Sequence, residues 1–383
     1  ILSGDTRQHP AVEASDAMRS LEAFSRVRIA EIKQIRRQDP RLGQTAEERA
    51  EIVAYRLAVE EASAGQAESA LARLATAGFV HDTGGGDVVA PVAAEYDRLQ
   101  AEGLRVLAVS QTRETVRRLN EAITARLLAR GEVREPRPLE TFLPRDIHEA
   151  EKSLPDTYQP GTVLHMLRNY SALERGDLVA VDSAGADFLT VVAGSGLRRR
   201  VALTYCDRWE ILSRHEITAG IGSMLQLRTN GLSRDGRKFC NGEHVTIRSF
   251  KKDGTIGVGD RDGADLFLWP DQRVLQLGYA VTSYGAQGKT ADAVLLADAG
   301  VAAASHKKEW YVSISRARRK IAVYTPGITG LASRIAASGE RMLGIELVPE
   351  VRHLVGVGLR SLIHESIDRV HRAIETVRPK FRP

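Results

Sequence analysis

The chain reads as an α/β protein interrupted by an inserted antiparallel β unit, and three stretches carry that reading. Residues 104–109 (LRVLAV) are a short apolar run. Residues 114–129 follow it with Val116, Leu119, Ile123, Leu127 and Leu128 on one helical face. This is the strand-then-helix unit of an α/β sheet. From about 176 to 275 the pattern changes to short alternating segments such as DLVAVD, FLTVVAG, MLQLRT and HVTIRS. Turn signals separate them at Gly194-Ser195-Gly196, Asn241-Gly242, Asp253-Gly254 and Asp262-Gly263. Regular short strands with Asn-Gly and Asp-Gly turns predict a small antiparallel barrel. Apolar strands then resume as LQLGYAVT, AVLLAD and KIAVYT, which makes the barrel an insertion.

In chain order, Ile1 and Leu2 read as the end of a strand, followed by a turn at Ser3-Gly4-Asp5. ASDAMRSLEAFSR is helical, and AEIKQIRRQDP follows it until Pro40 stops the run. Ile52, Leu57, Val59, Leu71 and Leu74 stand at helical spacing within 41–75, and the glycines at 84–86 mark a loop or hairpin tip. Residues 135–175 read as Pro-rich and irregular. From 331 the chain is again helical, with Leu359, Leu362, Ile363, Ile367, Val370, Ile374 and Val377 on one face before a basic, proline-broken end.

Bulk properties exclude several classes. At 383 residues, two to three domains are expected. The 54 basic and 49 acidic residues leave +5, which permits nucleic-acid binding without requiring it. Cys206 and Cys240 are far apart and lack metal-ligand spacing, so they fit a reducing compartment. No run of apolar residues reaches the length of a membrane span, and no signal peptide is evident. A cytoplasmic protein is expected. Ile1 in place of Met reads as the cut edge of a larger protein.

Four blocks carry chemistry. LSGDTRQHP spans residues 2–10, IRRQ 35–38, VTSYGAQGKT 281–290 and YVSISRAR 311–318. The last reads as an apolar strand feeding a Ser-Arg-Ala-Arg turn. An amide, glycine-borne backbone and arginines suit phosphoryl transfer, in which charge develops on equatorial oxygens. Lys289 invites a P-loop reading, but Ser283 stands where that motif needs its first glycine. No G-x-S-x-G elbow occurs. His9, His81, His215 and His306 lie in no ligand constellation and read as ordinary surface or core residues. Arg198, Arg199, Arg200, Lys251 and Lys252 are either a DNA path or a solvated face.

Together these blocks resemble the second half of a superfamily 1, RecD-like helicase, closest to the helicase part of conjugative relaxases of the TraI/TrwC type. The resemblance covers roughly 1–40, 100–130 and 275–325. It implies a RecA-like second lobe with an SH3-like barrel inserted. Residues 1–40 would end the first lobe, 41–135 and 276–330 form the second, 136–275 hold linker and barrel, and 331–383 form a helical tail. LSGDTRQHP resembles motif III, where Gln8 would contact the γ-phosphate or attacking water and Asp5 would shape the turn. IRRQ resembles motif IV, with Arg37 on the γ-phosphate. VTSYGAQGKT resembles motif V: Gln287, Gly288 and Thr290 would face the nucleotide, and Thr282, Ser283 and Tyr284 the DNA. Many relatives have His where Tyr284 stands. YVSISRAR resembles motif VI, with Arg316 as the arginine finger and Arg318 supporting the loop.

The resemblance further implies ATP and Mg²⁺, both needing a Walker A and Walker B lobe upstream, with this chain inactive alone. Partners would be single-stranded DNA and conjugation-machinery proteins, with translocation 5′ to 3′. Other readings are a non-catalytic DNA-binding or partner-docking piece, a RecD-like repair subunit, or an RNA helicase.

Overall fold

A computed structural model describes residues 3–9, 17–25, 27–32, 35–145, 147–260, 262–301 and 305–338. Ile1, Leu2 and the expected helix over 359–377 lie outside the described residues.

The first third is mainly helical. It comprises α1 (Ala17–Phe24), α2 (Ala46–Ser63), α3 (Ala67–Thr76), β1 (Val80–Asp82), α4 (Val89–Ala101), β2 (Val106–Ser110) and α5 (Arg113–Ala129). The insert follows as β3 (Arg134–Pro144), α6 (Glu149–Lys152), β4 (Val163–Met166), β5 (Leu178–Ala184), β6 (Phe188–Ala193), β7 (Arg198–Ala202) and β8 (Trp209–Ile221). It continues with β9 (Met224–Leu227), β10 (Gly231–Leu232), β11 (Lys238–Phe239), β12 (His244–Phe250), β13 (Ile256–Gly259), β14 (Asp265–Leu268) and β15 (Leu275–Leu277). The chain then returns through β16 (Ala280–Thr282), α7 (Ser283–Ala286), β17 (Ala291–Ala297), α8 (Lys307–Ile314), β18 (Ala317–Thr325) and α9 (Ile328–Ile335).

Caps place the helices. Thr45 accepts from Glu48 N at 3.1 Å to start α2, and the Glu48 carboxylate accepts from Gln44 N at 2.7 Å. Thr112 does the same for α5 through Thr115 N.

Five parallel strands form the central sheet in the order β1-β18-β17-β2-β16. Both faces are covered, as parallel sheets require. Leu107, Val109, Val294 and Leu296 pack toward α2, α3, α8 and α9. Ala108, Ala293 and Leu295 pack toward α4 and α5. That second core continues through Leu225, Leu227, Val245 and Leu277, so the insert is seated on the parallel-sheet layer by one shared apolar mass.

The insert is larger than expected. Instead of a single small barrel it holds a six-stranded antiparallel sheet, β3-β8-β4-β5-β6-β7, and a five-stranded one, β14-β13-β12-β9-β15. The stretch 135–175 is not merely irregular, because β3 runs through Pro136, Pro138 and Pro144. Its position at the sheet edge explains this: one side of an edge strand needs no ladder partner, and a register shift lies between Arg134 and Arg137. Arg198, Arg199 and Arg200 lie on β7, the opposite edge, where charge discourages pairing with another strand. Arg198 pairs with Asp182 and Arg200 lies over the Phe188 ring.

Two further readings change and a third narrows. LQLGYAVT is two strands, not one. β15 belongs to the antiparallel sheet and β16 to the parallel one, with the break at Gly278. A Cβ there would meet the Leu225 carbonyl carbon at 3.1 Å, a tight approach that favours glycine at the crossing. Pro40 does not stop a helix but opens a 3-10 turn capped by Asp39. Of the two readings of the glycines at 84–86, the loop holds and the hairpin tip does not, because β1 runs parallel to β18. Among the described residues no helix is long and apolar enough to cross a membrane.

Asp298 follows β17 as a buried carboxylate held by three donors. Thr325 Oγ1 donates at 2.7 Å, Gly300 N at 3.0 Å, and Arg334 of α9 forms an ion pair. Arg334→Ala leaves that charge buried with two neutral donors. Loss of one partner of such a pair costs about 3 kcal/mol or more. The urea midpoint of the chain should fall accordingly, whereas Thr325→Val should cost only about 1 kcal/mol.

Candidate nucleotide and nucleic-acid site

α8 is the spine of the site. The expectation of a strand over YVSIS fails because tertiary packing overrides the β-branched residues. Trp310 and Ile314, one helical turn apart, sink into the core together, while Ser313 Oγ donates to Glu309 Oε1 at 2.8 Å. His306 caps the helix, its Nδ1 accepting from Glu309 N at 3.3 Å.

Two arginines meet at the far end of α8. Arg316 is only 2% exposed. Its Nε donates to Val312 O at 2.8 Å and its Nη2 to Ser315 Oγ at 2.9 Å. Arg37 donates to the carbonyl of Ser315, which brings the two cations onto one turn. Burial, and then the proximity of Arg37, pulls the Arg316 guanidinium down to about 10. Arg37 is placed by its neighbour. Gln38 is buried, and its amide donates to Ala317 O and, at 3.4 Å, to Ser315 O, while the Tyr55 hydroxyl donates to Ile314 O. Ile35, Arg36, Gln38, Asp39, Arg41 and Arg56 line an adjoining depression of about 530 Å³.

Asp5 meets the same helix and carries Gln8 with it. Asp5 builds a local turn: its carboxylate accepts from Arg7 N and from the Gln8 amide, each at 3.0 Å. Tyr311 Oη donates to it at 3.4 Å. Asp5, Tyr311, Arg37 and Arg316 are thus grouped, with cations outnumbering carboxylates. Such a group is stabilised by an anion of high charge density.

The other end of α8 holds a cluster the sequence did not reveal. His9 was read as ordinary, yet it is 7% exposed and stacks on Tyr284 with centroids 3.7 Å apart and planes at 12°. Its Nε2 lies 3.1 Å from Ser283 Oγ, and His306 meets its edge at 6.3 Å. Burial first, then His306 and Arg316, lowers His9 to about 4, so the ring is neutral at physiological pH. Glu309 is fully enclosed; burial lifts its carboxyl to about 8 against the hydrogen bond from Ser313. The one available signal for His9 was its place directly after Gln8. Glu309 had none, because a buried Glu is indistinguishable by type from a surface one.

The motif V residues part company. Thr282 Oγ1 caps α7 by accepting from Gly285 N at 3.1 Å, and Ser283 is buried against His9. Ser283 thus faces His9 inside the protein, whereas Thr282 is half-buried and keeps its hydroxyl proton free to donate. Tyr284 is 51% exposed and offers its outer ring face. Gln287 and Gly288 are exposed on the following loop, and Thr290 is half-buried beside them. Lys289 turns away from them to Gly242 and His244, so the loop is not a phosphate-cradling P-loop.

Among the described residues no group of three His, Cys, Asp or Glu side chains is placed to hold a metal ion. The arginine cluster presents donors, which fit phosphate oxygens and not a cation.

A family model described as an AAA domain matches residues 1–85, the segment that carries Asp5, Gln8 and Arg37. Similar solved structures include two coordinating Pif1 helicases at forked double-stranded DNA (13% identity, 83% of this chain and 53% of that one, TM-score 0.26). Others are Bacteroides sp Pif1 in complex with ADP-AlF4 (16%, 91% and 64%, TM-score 0.25) and Pif1 helicase from Candida albicans (13%, 83% and 58%, TM-score 0.26). The chain spans about half the length of the first of these structures. No curated protein matches it.

Proposed function

We propose that this chain is the second half of an ATP-dependent DNA helicase or translocase, working with a Walker A lobe in a longer protein. The observation that carries the reading is that three separate blocks of sequence meet at α8: Arg37 and Arg316 share the Ser315 turn at its end, and Asp5, which holds the Gln8 amide, is bonded by Tyr311. The AAA-domain match over 1–85 supports it.

In this reading ATP, with Mg²⁺ supplied by the other lobe, places its γ-phosphate toward Arg37 and Arg316. Arg316 leaves its bonds to Val312 O and Ser315 Oγ as the lobes close, exchanging internal acceptors for phosphate oxygens. Arginine suits this because its planar fork holds two oxygens and stays charged. The Gln8 amide orients the attacking water without competing for the metal. Asp5 holds Gln8 in register, and Gln287, Gly288 and Thr290 border the nucleotide. Tyr284, backed by His9, stacks on a base of single-stranded DNA. Closure and reopening then move one lobe along the strand. The motif resemblance makes the direction 5′ to 3′ and the context a relaxase-helicase of conjugative transfer.

The test is ATP turnover by the full-length protein with and without oligo-dT. Stimulation is expected, and Tyr284→Ala should raise the half-saturating DNA concentration about tenfold, the worth of one stacked base. Absence of turnover would overturn the motor reading in favour of a binding module. Stimulation by RNA but not DNA would reassign the substrate.

A further inference from the structure

Lys289 sits in the exposed loop with Gln287 and Gly288, yet its side chain serves the insert. Gly288 adopts φ +80°, which reverses the chain, and Lys289 N closes the turn on Ala286 O at 3.0 Å. From there the Lys289 Nζ donates to Gly242 O at 2.9 Å and to His244 Nε2 at 3.2 Å. Both acceptors lie at the Asn241-Gly242 turn that opens β12.

That turn is a stiff anchor. Gly242 has φ +89° and its N–H donates to Leu227 O at 2.8 Å. Asn241 N donates to Asn230 Oδ1 at 2.8 Å and Cys240 N to Glu243 Oε2 at 2.9 Å. The anchor belongs to the five-stranded sheet, while the loop belongs to the parallel-sheet layer. The main chain itself crosses from the five-stranded sheet to the parallel one at Gly278, ahead of α7, so the lysine adds a side-chain link on the far side of that helix. Burial drives His244 down to about 3, so its ring is a neutral acceptor facing the ammonium. Burial and Arg228 lower Lys289 to about 8. An apolar side chain would fill this place at less desolvation cost, but it would lack the directed bonds to two fixed acceptors.

We infer that Lys289 is a positioning residue that ties the loop 287–290 to the antiparallel insert, so that this loop, joined to Tyr284 through the Gln287 N–H, moves with the Asn241-Gly242 turn when single-stranded DNA engages Tyr284. The DNA part rests on the reading under Proposed function; the tie itself does not.

Amide hydrogen exchange on the 383-residue chain tests it. Lys289→Met should speed exchange at Gln287, Gly288 and Thr290 about tenfold, because hydrogen bonds to a charged group are lost, while Val294–Leu296 in β17 stay unchanged. Lys289→Arg should restore protection, and His244→Leu, which removes one acceptor of two, should fall between. Unchanged loop exchange in both Lys289→Met and His244→Leu would overturn the tie. With oligo-dT added, wild-type residues 240–244 and 287–290 should slow together, and in Lys289→Met they should respond separately. Joint slowing that survives Lys289→Met would overturn transmission through the lysine. Oligo-dT that alters neither segment of the wild type would overturn the DNA reading, with the tie still decided by exchange without DNA.

Discussion

Arg316→Ala should lower ATP turnover by about a thousandfold or more in the full-length protein, the usual worth of an arginine that neutralises charge on the transferring phosphoryl group. ATP affinity should change little, since the interaction strengthens in the transition state. Arg316 also bonds Val312 O and Ser315 Oγ, so truncation carries a structural cost that must be measured separately. Arg316→Lys separates the two effects. It keeps the charge and much of the packing but loses the fork, so turnover should stay low while the unfolding midpoint recovers. Near-normal turnover in Arg316→Ala would remove the finger assignment. Arg37→Ala should act in the same direction, because the two side chains share the Ser315 turn.

Glu309→Gln should stabilise the chain progressively as pH rises. The folded-state carboxyl titrates near 8 against an ordinary value of 4.5, driven first by burial and next, among destabilising influences, by Asp298. A raised folded pKa means that the protonated form is the one the fold favours. Its contribution is therefore full below pH 4.5, erodes as pH climbs toward 8 and is lost above that. His9 works in the opposite sense. Its folded value is near 4, so the chain loses stability as pH falls from 6.5 toward 4. The difference between wild type and Glu309→Gln isolates the carboxyl from the histidine. Measured by urea unfolding from pH 5 to 8, it should widen steadily, with about 5 kcal/mol as its ceiling. A difference independent of pH would mean that the carboxyl ionises freely in the folded state.

The two expectations have different roots in the sequence. Arg316 is a candidate from sequence because YVSISRAR resembles motif VI, and its role as a finger stays a proposal. Its burial and its proximity to Arg37 were not legible, since 278 residues separate Arg37 from Ser315. Tyr55 and Gln38, which fix that turn, carried no motif at all. His9 and Tyr284 lay in two recognised blocks, but only packing shows that their rings stack. The helical character of α8 was misread because local β-propensity in Val312 and Ile314 is weaker than the burial of Trp310 beside them. The proline-bearing strand β3 was misread for a related reason. Whether proline is tolerated depends on whether the strand is an edge, which is a property of the sheet.

What the sequence determined by itself is the local order. Helical and alternating periodicity and the Asn-Gly and Asp-Gly turns follow from interactions a few residues long. Only the tertiary structure decided that the insert is two sheets, that Gly278 divides a continuous apolar run between layers, and that Lys289 points to Gly242. It also decided that Arg37 and Arg316 meet on the turn that ends α8, and that Asp5, with Gln8 bonded to it, reaches Tyr311 of that helix. These outcomes depend on burial and on contacts between distant segments, and the same residue types would read identically in sequence with either outcome.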